Sequence, residues 1–118
     1  MKKTIDNPIA VKSKLFALKI IRLYKFLNYS VRESILSKQL LRSGTSIGAN
    51  VREALRAQSK PDFISKMGIS LKEASESEYW LELLYESNYL DKEVFDSLAN
   101  DCRELIRMLT AIIKSAKA

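Results

Sequence analysis

Three observations predict an all-α fold, an up-down-up-down antiparallel four-helix bundle. Apolar residues recur at helical spacing along nearly the whole chain, the breaks between those stretches are short, and helix breakers are scarce. Gly numbers three and Pro two in 118 residues, with 47% apolar and 29% charged residues. That balance belongs to a packed helical domain rather than a disordered segment. The length suits one domain, assigned to residues 1–118, able to bury a core without metal or disulfide staples.

Asn7 followed by Pro8 suits an N-cap and first helical position, because Asn accepts orphan amide hydrogens and Pro has none to leave unpaired. The first helix is expected over Pro8 to Leu27, with Ile9, Phe16, Ile20, Leu23 and Leu27 on its core face. A polar interval at Asn28, Tyr29 and Ser30 precedes the second stripe, Leu36, Leu40, Gly44, Ile47, Val51 and Leu55. Pro61 restarts the chain, and Phe63, Met67, Leu71, Ala74, Glu78, Leu81 and Tyr85 trace a third helix. After a turn over residues 87–91, the fourth carries Phe95, Leu98, Cys102, Leu105, Leu109, Ile112 and Ala116.

Composition excludes several chemistries. With no His and a single Cys, the usual zinc sites, an internal disulfide and a Ser-His or Cys-His catalytic pair are impossible. Cys102 falls in an apolar stripe and reads as a buried structural thiol. Glu73 and Glu78 invite a catalytic or metal reading, but no Glu-x-x-His motif or matching second pair accompanies them. The expectation is a non-enzymatic protein without a cofactor. No apolar run approaches a membrane span or a secretory signal, so a cytoplasmic protein with no membrane partner is expected.

Charge is the feature that points to function. Residues 1–60 carry thirteen Lys and Arg against three acids, and residues 61–118 carry seven against eleven. Lys12, Lys14, Lys19, Arg22 and Lys25 spread over one side of the first helix, and Lys38, Arg42, Arg52 and Arg56 join them from the second. Lys12, Lys19, Arg22, Arg42, Arg52 and Arg56 are the candidates for contact with RNA or DNA phosphates. No aromatic-rich RNA-reading motif goes with them, so little sequence preference is expected.

The first and third helices have a second apolar face. Leu15, Leu18 and Phe26, with Val11, lie outside the core stripe of one, and Ile69, Trp80 and Leu83 outside that of the other. Such faces predict a homo-oligomer with Trp80 as an interface anchor. Gly44 and Gly48, each costing about 1 kcal/mol against Ala in a helix, imply a close helix approach. Asn50, Glu53, Lys66, Glu73 and Glu78 are expected to form polar bonds between helices as a structural network.

The run Ser37-Lys38-Gln39-Leu40-Leu41-Arg42-Ser43-Gly44-Thr45-Ser46-Ile47-Gly48-Ala49-Asn50-Val51, followed by Glu53-Ala54, resembles the four-helix-bundle proteins encoded in intervening sequences of bacterial 23S ribosomal RNA genes. Asp62-Phe63-Ile64, Lys66, Lys72-Glu73-Ala74 and Glu76 through Leu84 look like the same family's third helix. Arg42, Asn50, Glu53, Lys66, Glu73 and Trp80 match recurring family positions. A related branch is the accessory variability determinant of diversity-generating retroelements, a basic homopentamer that binds nucleic acid and a reverse transcriptase. The resemblance implies a homopentamer here too. It also leaves a competing expectation, a scaffold for a reverse transcriptase or another nucleic-acid enzyme without direct nucleic-acid binding.

Overall fold

Helix starts follow from side-chain caps. Asn7 Oδ1 accepts the Ile9 amide at 3.1 Å and Pro8 opens α1, Pro8–Phe26. Ser59 Oγ accepts the Asp62 amide at 3.2 Å before α3, Lys60–Glu86, and Asp91 Oδ1 accepts the Val94 amide at 2.9 Å before α4, Lys92–Lys117. The remaining helix, α2, spans Leu36–Leu55. The computed structural model describes residues 7–118, so the two N-terminal lysines counted above lie outside the described residues.

The polar interval after α1 is not a loop. Leu27–Val31 continue the helix as one wider π turn, because Leu27 stays fully buried and Asn28 Nδ2 bonds Tyr24 O at 2.9 Å and Ser37 Oγ at 3.2 Å. Arg32 then breaks the helix in the left-handed region at φ 69°. Glu33 turns its carboxylate inward: Oε2 accepts the Ile35 and Leu36 amides at 2.9 Å each, and Oε1 the Ser37 amide at 2.7 Å. Burial raises the pKa of this acid, yet those amides and the Ser37 hydroxyl outweigh it and leave the carboxyl below its ordinary 4.5.

Each adjacent pair of helices runs antiparallel, as the cross-helix contacts require. Gly44 meets Ile20 and Gly48 meets Ser13 between α1 and α2; Glu53 meets Lys66 and Arg42 meets Glu73 between α2 and α3. Tyr85 stacks on Phe95 and Cys102 bonds Ala74 O between α3 and α4, and Lys12 pairs with Glu104 across α1 and α4. The chain is therefore an up-down-up-down four-helix bundle with α1 and α3 on one diagonal and α2 and α4 on the other. It measures 44 × 22 × 21 Å.

The core holds Phe16, Ile20, Leu27, Leu40, Ile47, Val51, Met67, Leu81, Leu84, Leu105 and Leu109, each worth about 1.5–3 kcal/mol on burial. In α3 the buried stripe is Met67, Ser70, Ala74, Ser77, Leu81 and Leu84, so Ser70 and Ser77 take places expected for Leu71 and Glu78. Short hydroxyl side chains let α3 approach α2 and still satisfy themselves: Ser70 Oγ donates to Ile47 O and Ser77 Oγ to Ser43 Oγ, both at 2.8 Å.

Candidate nucleic-acid interface

The outward ridge of α2 is built by helical spacing. Lys38, Arg42, Thr45, Ala49, Arg52 and Arg56 follow one another at intervals of four and three, placing a stripe about 27 Å long along one side of the bundle. Ala49 sits on the ridge itself, and its small side chain leaves the ridge low at mid-length. Between α1 and α2 this becomes a shallow groove of about 360 Å³, floored by Ala10, Ala17, Gly48 and Ala49 and lipped by Lys14 and Arg52.

The six cations expected to contact phosphate fall into two sets. Lys12 Nζ lies 2.8 Å from Glu104 and Lys19 Nζ 2.7 Å from Asp101, tying α1 to α4, and Arg42 forks onto Glu73 at 3.2 Å and onto Glu76. The Lys12 bond holds the Glu104 carboxyl below its ordinary value, and the Glu76 bond raises Arg42 further. These three charges are already compensated. Arg22, Arg52 and Arg56 are exposed and have no carboxylate partner among the described residues, nor do Lys14, Lys25, Arg32 and Lys38. Lys14 is a groove residue outside the six expected phosphate contacts; its helical register beside Ala10 and Ala17 is the signal for it.

The polar residues do not form one network. Lys66 pairs with Glu53 at 3.2 Å, Glu73 with Arg42, and Glu78 with Arg103 at 2.7 Å, three separate interhelical bonds. Asn50 bonds back to Ser46 O of its own helix at 2.9 Å, because that carbonyl one turn earlier is within reach of its short amide.

Of the expected interface residues, Leu15, Leu18, Phe26 and Ile69 are exposed, while Trp80 and Leu83 are half-buried within the chain itself. Trp80 packs against the core, and its indole N–H donates to Glu76 Oε1 at 3.1 Å. Cys102 is fully buried against Ala74 O, its thiol pushed up to about 12 chiefly by burial. Among the described residues there is no cluster of three or more metal-ligating side chains, and no helix long and apolar enough to cross a membrane.

An antiparallel bundle with a close α1–α2 seam, a cationic outer ridge and paired charges on its other seams defines the class of protein. A family model described as the 23S rRNA-intervening sequence protein matches residues 6–111, and the chain belongs to that family. It is also similar to the crystal structure of a protein of unknown function from the S23 ribosomal protein family of Bacteroides thetaiotaomicron. The two share 54% identity over 90% of this chain and 98% of that one, with a TM-score of 0.89. No curated protein is significantly similar.

Proposed function

We propose that this protein is a non-enzymatic homo-oligomer that binds RNA or DNA phosphates with little sequence preference. The unpaired cations of α1, α2 and their connection carry the reading. Residues 7–60 hold eleven Lys and Arg, of which, among the described residues, only Lys12, Lys19 and Arg42 meet carboxylates. The two acids of this stretch are spent elsewhere, Glu33 on backbone amides and Glu53 on Lys66. A one-sided, uncompensated field of this kind attracts a polyanion and gives salt-dependent binding. A cytoplasmic setting goes with this reading.

Self-assembly is supported by two apolar faces on opposite corners. Val11, Leu15 and Leu18 face outward from α1, and Ile69 and Tyr79 from α3. Unlike faces on a diagonal suit head-to-tail pairing, which makes a ring where the rotation closes rather than a two-fold dimer. The resemblance to the retroelement accessory determinant favours a ring of five. Arg22 shares the outer face of α1 with Leu15 and Leu18, so assembly through that face covers Arg22 and leaves the α2 ridge, with Arg52 at the rim of the contact beside Val11, Leu15 and Leu18, as the binding surface.

The scaffold reading has its own observation, an open groove of about 570 Å³ between α1 and α4. Leu23, Phe26, Val94 and Leu98 make it apolar, and Arg22, Asp91 and Glu93 charge its rim. A reverse transcriptase or other nucleic-acid enzyme could seat a helix there.

The deciding experiment measures binding of labelled RNA, duplex DNA and their hybrid to the mass-verified oligomer at several salt concentrations. Salt-sensitive binding that disappears in the Arg52→Glu/Arg56→Glu variant, with helicity and assembly kept, is the expected result. No binding even at low salt makes the α1–α4 groove and a protein partner the leading reading.

A further inference from the structure

The α1–α2 connection presents its most exposed apolar side chains beside its cations. Tyr29 is 80% exposed and Ile35 77%, the highest values among the large apolar side chains of the described residues. Lys25 stands one turn before Tyr29, Lys38 one turn after Ile35, and Arg32 between them at the left-handed break. None of these three cations meets a carboxylate among the described residues. Between Arg22 and Arg52 the chain has one acid, Glu33, and its carboxylate is turned inward onto the Ile35, Leu36 and Ser37 amides. The acids at this end of the bundle, Glu86, Asp91 and Glu93, belong to the α3–α4 half.

The segment that displays these groups is rigidly latched. Leu27 anchors it in the core, Asn28 ties it to Tyr24 and Ser37, and the Glu33 amide bonds Leu27 O at 2.9 Å. One π turn widens the helix where Tyr29 emerges, a distortion frequent at functional sites. An exposed aromatic ring on a fixed backbone, with cations one turn before it, three residues after it and at the start of the next helix, is an arrangement suited to stacking a base and gripping its phosphates.

We propose that the α1–α2 connection binds unpaired nucleotides, with a base stacked on the Tyr29 ring and the flanking phosphates held by Lys25, Arg32 and Lys38. Charge complementarity selects a nucleic acid over an apolar protein segment, and the need for an open π-face selects a single strand over a duplex. This site rests on the nucleic-acid reading above and adds to it a preference that the α2 ridge alone does not supply.

The test is fluorescence anisotropy with oligouridylate, oligothymidylate and a mixed-sequence duplex, at matched salt, for the wild type, Tyr29→Ala, Tyr29→Phe and Arg52→Glu. Tyr29→Ala should weaken both single strands about tenfold and the duplex less than about twofold, while Tyr29→Phe keeps the wild-type values. Arg52→Glu should weaken all three ligands. Unchanged single-strand binding in Tyr29→Ala, an equal loss on the duplex, or a change in oligomer mass overturns the site and leaves the ridge standing. Absence of all binding by the wild type removes both.

Discussion

Gly44 lies so close to Ile20 that a Cβ added to it would stand 3.1 Å from both Ile20 Cγ1 and Cγ2. Ile20 is fully buried and cannot swing away, so the α1–α2 seam depends on the missing side chain. Gly44→Ala gains about 1 kcal/mol of helix propensity but incurs an overpacking cost of about 1–3 kcal/mol, a net loss. Gly68 is the contrast, because nothing lies within 4 Å of its would-be Cβ. Gly68→Ala should stabilise by about 0.4–1 kcal/mol. Urea unfolding midpoints of the two variants should move in opposite directions.

Glu33 links the α1–α2 connection to pH. Its folded pKa is lowered, so its contribution is fully present above the unfolded value and is lost as pH falls through the folded one. Glu33→Gln, which keeps the shape but loses charge-assisted bonds, should cost about 1–3 kcal/mol at neutral pH. The gap between wild type and variant should shrink as pH falls past the ordinary carboxylate value and through the lowered folded one, where the wild-type carboxyl also becomes neutral. Thermal unfolding followed by circular dichroism across that range checks it.

Cys102 should be inert in the folded protein. A thiol buried against Ala74 O, with its pKa pushed up to about 12, offers almost no thiolate at neutral pH. Labelling by an aromatic disulfide reagent should be negligible in buffer and reach one thiol per chain in denaturant. Rapid labelling under native conditions contradicts the burial.

Assembly through the outer faces of α1 and α3 predicts a sharp response to charge. Leu15 is 53% exposed and Ile69 40%, so neither Leu15→Glu nor Ile69→Lys disturbs the core. Either variant alone should lower the oligomer mass in native mass spectrometry while helicity stays unchanged. An unaltered mass places the subunit contact elsewhere.

The start of α1 is legible in the sequence because its cap is local, Asn7 accepting the Ile9 amide two residues on with Pro8 between them. The Gly44 and Gly48 approach is legible too, since two glycines inside an apolar stripe demand a compensating contact. The buried places of Ser70 and Ser77 are not, because their partners, Ile47 O and Ser43, belong to another helix. For the same reason periodicity finds the six candidate cations but not that Lys12, Lys19 and Arg42 meet acids from α3 and α4. Trp80 reads as an outer residue by register, yet its length lets it fold back onto the core and Glu76. The π turn has no periodic signature; Asn28 and the inward Glu33 create it through bonds that only the folded connection supplies.

The central claim, that the unpaired cations rather than the paired ones bind phosphate, is tested most directly by salt dependence. Affinity for one nucleic acid should be followed from low to moderate salt for the wild type, for Lys14→Gln/Arg52→Gln/Arg56→Gln and for Lys12→Gln/Lys19→Gln/Arg42→Gln. Removing the unpaired set should reduce the slope of log affinity against log salt by about 2–3, at about 0.7–0.9 per lost phosphate contact. Removing the paired set should change it by less than about 1. Equal slopes in all three proteins, or a larger change from the paired set, contradicts the account.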